Sequence, residues 1–356
     1  MTENASPPTP VAPSGGRPRA ILVLAALLAL ALLPALAIYR YAHAPGPLSA
    51  PRRGLEISRG SGLKAIARSL EEQRVIDRPW LFMTLAFVRG TEGSLKAGEY
   101  AFEEGVTPWQ VIEILEAGRP MAHYVTLNEG WTIDEMAEAI GKLGIVSPNR
   151  LIALARDPAF ARSLGILQTT LEGYCFPDTY ALTRQMTEEA VLALLVSRFR
   201  EVYAAAREAA GGSATNLKDH AIVTLASIVE KETGAPEERG LIAAVFLNRL
   251  KRGMLLQSDP TVIYGIPDFD GNLTRKQLKA PTPYNTYTEP GLPPGPIANP
   301  GRAALLAVLN PGLDDYLYFV SRNDGSHHFS RTLSEHNRAV LRYQKRRRSP
   351  PATGPK

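Results

Sequence analysis

Cysteine is almost absent from this 356-residue sequence. A lone Cys175 cannot close an intrachain disulfide, and it cannot supply the paired thiolates of a structural zinc site. Charge of one sign is also missing from the body of the chain. The formal net charge is +5, yet Lys345, Arg346, Arg347, Arg348 and Lys356 account for all of it. The near-neutral remainder offers no basic footprint, so nucleic acid is not expected as a partner. Residues 345–356 read as a solvated, disordered basic tail. Disorder throughout is excluded by 45% hydrophobic and 21% charged residues, and the length suits two packed domains.

One long apolar run stands out. Residues 20–39 carry no charge and are flanked by Arg17, Arg19 and Arg40. At about 1.5 Å per helical residue, such a run covers the hydrocarbon core of a bilayer. It is expected to be a retained single-pass anchor, preceded by a disordered cytoplasmic leader over residues 1–19. The competing reading is a cleavable signal peptide, with Ala35-Leu36-Ala37 as its small-residue cleavage pattern. Residues 40–53 contain Pro45, Pro47 and Pro51 and read as a linker. Either reading puts the bulk of the chain at or across a membrane, and arginines on both sides leave its orientation open; the expectation adopted is an anchor in the inner membrane with the folded part in the periplasm.

Two folded regions follow. Leu55-Glu56-Ile57 alternates like a strand, and Leu63, Ile66, Ala67 and Leu70 repeat at helical spacing. Pro79 can open a second helix because its missing N–H would be unpaired there. Gly98 to Phe102 reads as a returning strand, and Thr107-Pro108 opens a further helix ending at Gly118. This β-α-α-β order over residues 54–122 is loosely similar to a LysM-like glycan-binding module. In the second region, Thr132-Ile133-Asp134-Glu135 and Thr332-Leu333-Ser334-Glu335 are capping boxes. Residues 191–209 and 236–252 are helical in pattern, and residues 316–321 and 327–332 read as strands joined through Asn323-Asp324-Gly325. Between Gln257 and Gly301 there is little periodicity, with many Gly, Pro, Tyr and Asn residues.

The segment AIVTLASIVE at residues 221–230 predicts a buried helix that ends in a carboxylate. Desolvation would raise the pKa of Glu230 and keep it protonated, as an acid for a glycosidic oxygen must be. On spacing alone, a solvated charged helix end over Glu230-Lys231-Glu232 is the better fit. Ordinary glycoside hydrolysis also needs a second carboxylate. Glu232 is a poor candidate for it, because two residues span about 200° of helix. Asp259 or Asp178 could serve only if the fold brings them close. His327, His328 and His336 do not make a metal pattern, since neighbours on a strand face opposite ways.

The chain resembles the YceG-like endolytic murein transglycosylases. The matching segments are LEGYCFPDTY at 171–180, ASIVEKET at 226–233, QSDPTVIYG at 257–265, PYNTY at 283–287, GLPPGPI at 291–297, NPG at 299–301 and FVS at 319–321. Cys175 departs from the pattern, where a larger apolar residue is expected. The resemblance implies an α+β fold with a transmembrane helix, the LysM-like module and a mixed α+β catalytic domain over residues 123–344. It assigns catalysis to Glu230, without metal or cofactor. It also implies an internal reaction in which the 6-hydroxyl of N-acetylmuramic acid attacks its own anomeric carbon, so one glutamate is both acid and base. Gln257, Ser258, Asp259, Tyr264, Tyr284, Asn285, Tyr287, Asn299 and His327 are expected to line the sugar groove; Glu172 and Asp178 either order the site or cap local turns. The implied partners are peptidoglycan glycan strands, the inner membrane and neighbouring peptidoglycan synthases. A non-catalytic cell-wall scaffold and a water-using muramidase are the alternatives.

Overall fold

The computed structural model describes residues 17–211, 215–232 and 234–345. The first sixteen residues of the expected leader lie outside them, as do residues 346–356 of the expected tail. The chain divides into two compact units. One runs to Met121 and includes Thr183–Gln185; the other comprises Ala122–Leu182 and the chain from Met186 onward.

The first unit contains α1 (Arg17–His43), β1 (Arg52–Ile57), α2 (Leu63–Glu72), α3 (Pro79–Arg89), β2 (Gly98–Phe102) and α4 (Pro108–Ala117). β1 and β2 pair antiparallel, with Leu55 opposite Tyr100 and Ile57 opposite Gly98. The periodic residues Ile66, Ala67 and Leu70 of α2 are buried beneath them, as period and amphipathicity require. Thr107 and Gln110 form a reciprocal capping box at α4. Within α1, the stretch Ile21–His43 is long and apolar enough to cross a bilayer, and its large apolar side chains from Ile21 to Leu36 are exposed.

The segment read as a linker is packed instead. α1 continues to His43, and Tyr41, Ala42 and Leu48 are buried in this unit's core. Gly46 donates its N–H to the Val106 carbonyl at 3.1 Å, and a Cβ there would lie 2.6 Å from the same oxygen. Proline and glycine here shape a tight corner, and the apolar side chains between them find a core to join.

The second unit contains β3 (His123–Thr126), α5 (Ile133–Gly141), α6 (Pro148–Ala155), α7 (Pro158–Ser163), β4 (Thr179–Leu182), α8 (Glu188–Ala209) and α9 (Asp219–Glu232). It continues with α10 (Arg239–Lys251), α11 (Asp259–Tyr264), α12 (Arg302–Leu309), β5 (Tyr318–Ser321), β6 (His327–Ser330) and α13 (Leu333–Val340). Two antiparallel ladders, β3–β4 and β5–β6, accompany the helices, giving a mixed α+β architecture. α9 is the axis of this unit. Residues 222–229 are all buried, and the helix packs against α10, α11 and α12. A helix apolar around its circumference is stable only when enclosed in this way. Its C-terminal turn is where the enclosure ends and charge begins.

Candidate active site

Glu230 and Glu232 leave the end of α9 in different directions, as their spacing requires. The Glu230 side chain is 5% exposed and both of its oxygens are engaged. Arg239 Nη2 lies 3.2 Å from one, and the N–H of Gly301 donates to the other at 2.9 Å. Gly301 is the N-cap of α12, so this carboxylate ties the end of one buried helix to the start of another. A third charged group stands close by. A Cβ on Gly301 would fall 1.8 Å from Oε1 of Glu129, so a larger residue there would displace the Glu129 side chain. Burial, and then the charge of Glu230, push the Glu129 carboxyl above the usual range.

Glu232 instead opens into a cavity of about 420 Å³, lined also by Arg249, Gln257, Asp259, Tyr287, His327 and His336. Burial pushes its carboxyl up to about 7, with the Asp259 charge adding to the rise. The Ser258 hydroxyl, His327 and Arg249 pull the other way. Ser258 Oγ donates to Glu232 at 2.5 Å, while its backbone N–H is held by Thr286 Oγ1 at 3.0 Å. Thr261 closes this network, donating to the Ser258 carbonyl at 2.7 Å and lying 2.8 Å from Thr286 Oγ1. Gln257 adopts φ +53, the left-handed region that costs a non-glycine residue about 1 kcal/mol, and its N–H is pinned to the Thr286 carbonyl at 3.0 Å. The hydroxyl network holds that turn, and with it the wall of the cavity.

Two further residues are oriented from outside. Tyr287 donates its hydroxyl to Asp259 at 2.6 Å; burial and that carboxylate raise its phenol, so it stays a donor. His327 is gripped by Glu238, which accepts its backbone N–H at 2.8 Å and lies 2.6 Å from Nδ1. A carboxylate at that distance fixes a proton on Nδ1 and leaves Nε2 for other partners. Arg249 reaches the carbonyls of Leu317, Leu255 and Leu256, joining β5 to the cavity floor. A carboxyl near 7, a second carboxylate and an oriented imidazole in one cleft can give and take a proton at neutral pH.

This chain matches the YceG-like family over residues 55–342. It belongs to that family. It is 33% identical to the endolytic murein transglycosylase of Bacillus subtilis over 308 residues, covering 81% of this chain and 84% of the relative. It is 28% identical to the endolytic murein transglycosylase of Streptococcus pneumoniae, covering 81% of this chain but 57% of that longer protein. A crystal structure of a YceG-like protein from Listeria monocytogenes superimposes with a TM-score of 0.56 at 31% identity. That match covers 82% of this chain and 99% of the other.

The groove residues expected in this YceG-like chain separate into three groups. Gln257, Asp259, Tyr287 and His327 line the Glu232 cavity, with Ser258 bonded to its acid. Tyr264 lines a different cavity of about 920 Å³ with Lys231, Arg156 and Thr132, and Tyr284 packs on it with ring centroids 4.9 Å apart. Asn285 and Asn299 are buried with their amides spent on the protein itself. Asn285 Nδ2 donates to the carbonyls of Gln277, Leu278 and Ala280, while its Oδ1 accepts from the Tyr287 N–H. Asn299 Oδ1 accepts the N–H groups of Gly173 and Cys175, and its Nδ2 donates to Trp131 O and Glu172. Both side chains are fully buried, so neither amide faces the groove. They brace proline-rich loops whose backbone groups have no ladder to join.

Glu172 is likewise internal: it accepts from the Ile133 N–H, Asn299 and Tyr264, although burial pushes it up to about 8. Asp178 pairs with Arg198 at 2.8 Å on the surface. Glu232, Arg249, Glu238 and His336 were not singled out for the groove from sequence. Only Glu232 left a signal there, in its place beside Glu230.

Proposed function

We propose that this protein is a membrane-anchored endolytic lytic transglycosylase of peptidoglycan, and that its acid/base is Glu232 instead of Glu230. The observation that carries the assignment is the Glu232 cavity, where four of the expected groove residues and a carboxyl near 7 meet. Glu230 is ion-paired to Arg239 and accepts the Gly301 N–H, and it lines neither the Glu232 cavity nor the cavity beside Lys231. The relatives' names supply the substrate class, and the cleft supplies the proton chemistry.

In the proposed step, Glu232 gives its proton to the glycosidic oxygen of the departing N-acetylglucosamine as the bond from that oxygen to C1 of N-acetylmuramic acid breaks. The muramic acid 6-hydroxyl closes onto C1 and passes its proton to Glu232. The acid is restored, no water is consumed, and a 1,6-anhydro end is left. Ser258 steadies Glu232, and His327, oriented by Glu238, stands beside it. Retention of α1 as an anchor would hold the cleft near nascent strands, beside the synthases that extend them, where cutting would set strand length. The β-α-α-β order of the first unit supports a LysM-like contact with the same glycan.

Asp259 favours a second reading. A carboxylate in the same cavity could activate water, which would make the protein a muramidase. Purified full chain in detergent, incubated with isolated glycan strands, separates the readings by mass spectrometry of the products. Anhydro ends that vanish in Glu232→Gln support the lyase. Reducing ends that vanish in Asp259→Asn support the hydrolase, and intact strands retained by the protein support a scaffold.

A further inference from the structure

Outside α1, the first unit concentrates its exposed apolar surface on one short helix. In α3, Leu81, Phe82, Leu85 and Ala86 are buried, whereas Trp80, Phe87 and Val88 are 61%, 70% and 69% exposed. At 100° per residue, Trp80, Thr84, Phe87 and Val88 share a stripe roughly 100° wide, opposite the buried face. No charged residue interrupts the helix between Pro79 and Val88.

α3 meets the last turn of α1 directly at its start and through Trp109 of α4 at its end. At its start, the Arg78 carbonyl accepts the Tyr41 hydroxyl at 3.1 Å. At its end, the Arg89 guanidinium lies 4.2 Å from the centroid of the Trp109 ring, which packs 5.4 Å from His43. Both contacts lead to the last turn of α1, so α3 lies at the end of that helix. Were α1 to span a bilayer, α3 would lie close to the depth where the span ends. A cavity of about 450 Å³ sits at that junction, with Arg40 and Arg78 in its lining. Asp77, the one acid in the lining, is 3.5 Å from Arg78.

We propose that α3 is an interfacial helix that seats the first unit on the bilayer, with the Trp80, Phe87 and Val88 stripe in the acyl boundary and Arg40 and Arg78 facing anionic headgroups. Tryptophan and phenylalanine on such a face are favoured at membrane interfaces, where an apolar ring borders a wet layer. This inference rests on the reading of α1 as a retained anchor.

The test uses full chain reconstituted in vesicles of phosphatidylethanolamine and phosphatidylglycerol. Spin labels are placed at Phe87→Cys and Val88→Cys, with Lys64→Cys as the aqueous control and buried Cys175 left in place. Labels at positions 87 and 88 are expected to collide with oxygen several-fold more, relative to a water-soluble nickel chelate, than the label at 64 does. Equal ratios at all three positions, with the chain still in the vesicle pellet after carbonate extraction, would overturn the seating and leave the anchor standing. Release of the chain by carbonate would overturn the anchor and the seating together.

Discussion

A carboxyl raised to about 7 is a liability to the fold as well as an asset to a proton-transfer site. Glu232 prefers its protonated form when folded, so its contribution to stability is present below the unfolded value of about 4.5 and is lost as pH rises through 7. Glu232→Gln removes that penalty. It is expected to raise stability by about 1–3 kcal/mol at pH 8 and by nothing measurable near pH 4, as followed by denaturant midpoints across pH. Asn299 behaves in the opposite sense. Its amide satisfies two buried N–H groups, a carbonyl and a carboxyl, so Asn299→Ala is expected to cost about 2–4 kcal/mol, seen as a lowered melting temperature. Sequence pattern alone could not tell these two residues apart. Both are polar and both sit in segments shared with the family, and only the direction of each side chain separates a groove residue from a brace. The same limit explains Glu230: the buried run before it was legible, but the packing of Gly301 and Arg239 against it was not.

The elements with a clear period or cap were readable. α9, α10 and the β5–β6 hairpin lie where alternation and turn chemistry put them, and both capping boxes are formed at Thr132 and Thr332. α11 and α7 were missed because six residues cannot display a helical repeat, and each carries a proline within its first two positions that reads as a breaker. β4 escaped because its partner β3 is more than fifty residues away, so nothing local marks it as a strand. The loop before β4 depends on one glycine. Gly173 has φ +85, and a Cβ there would meet Pro296 Cγ at 2.4 Å, against the proline-rich wall. Gly173→Ala therefore combines backbone strain with a clash, and chemical denaturation is expected to show a loss of about 2 kcal/mol or more.

At the scale of the whole molecule, the sequence separates a span, a small α/β unit and a larger α+β unit; among the described residues one helix is long and apolar enough to cross a membrane, and it belongs to the first of two compact units. The proline-rich stretch after the span misled because composition suggests freedom where Tyr41, Ala42 and Leu48 are buried. That burial bears on processing. Cleavage after Ala37 would keep Tyr41 and Ala42 in that core but remove the membrane-crossing length before them, so a protein anchored through α1 is expected to keep residues before Ile38 when isolated from cells. Sequencing its mature N-terminus checks this, and a start at Ile38 would refute retention of the anchor.

The central claim is that the end of α9 divides its labour, with Glu232 for proton transfer and Glu230 for structure. Cleavage of purified glycan strands by the full chain, measured as the rate at which anhydro ends appear in Glu232→Gln and Glu230→Gln side by side, tests it most directly. Loss of a general acid costs on the order of 10²–10⁴-fold in rate, so Glu232→Gln is expected to be nearly inactive while fully folded. Glu230→Gln leaves the nearly buried Arg239 without its partner, so it is expected to lose about 3 kcal/mol of stability yet cut at a rate within about tenfold of the unaltered protein. A folded Glu230→Gln that makes no anhydro ends, beside a Glu232→Gln that still makes them, would contradict the account.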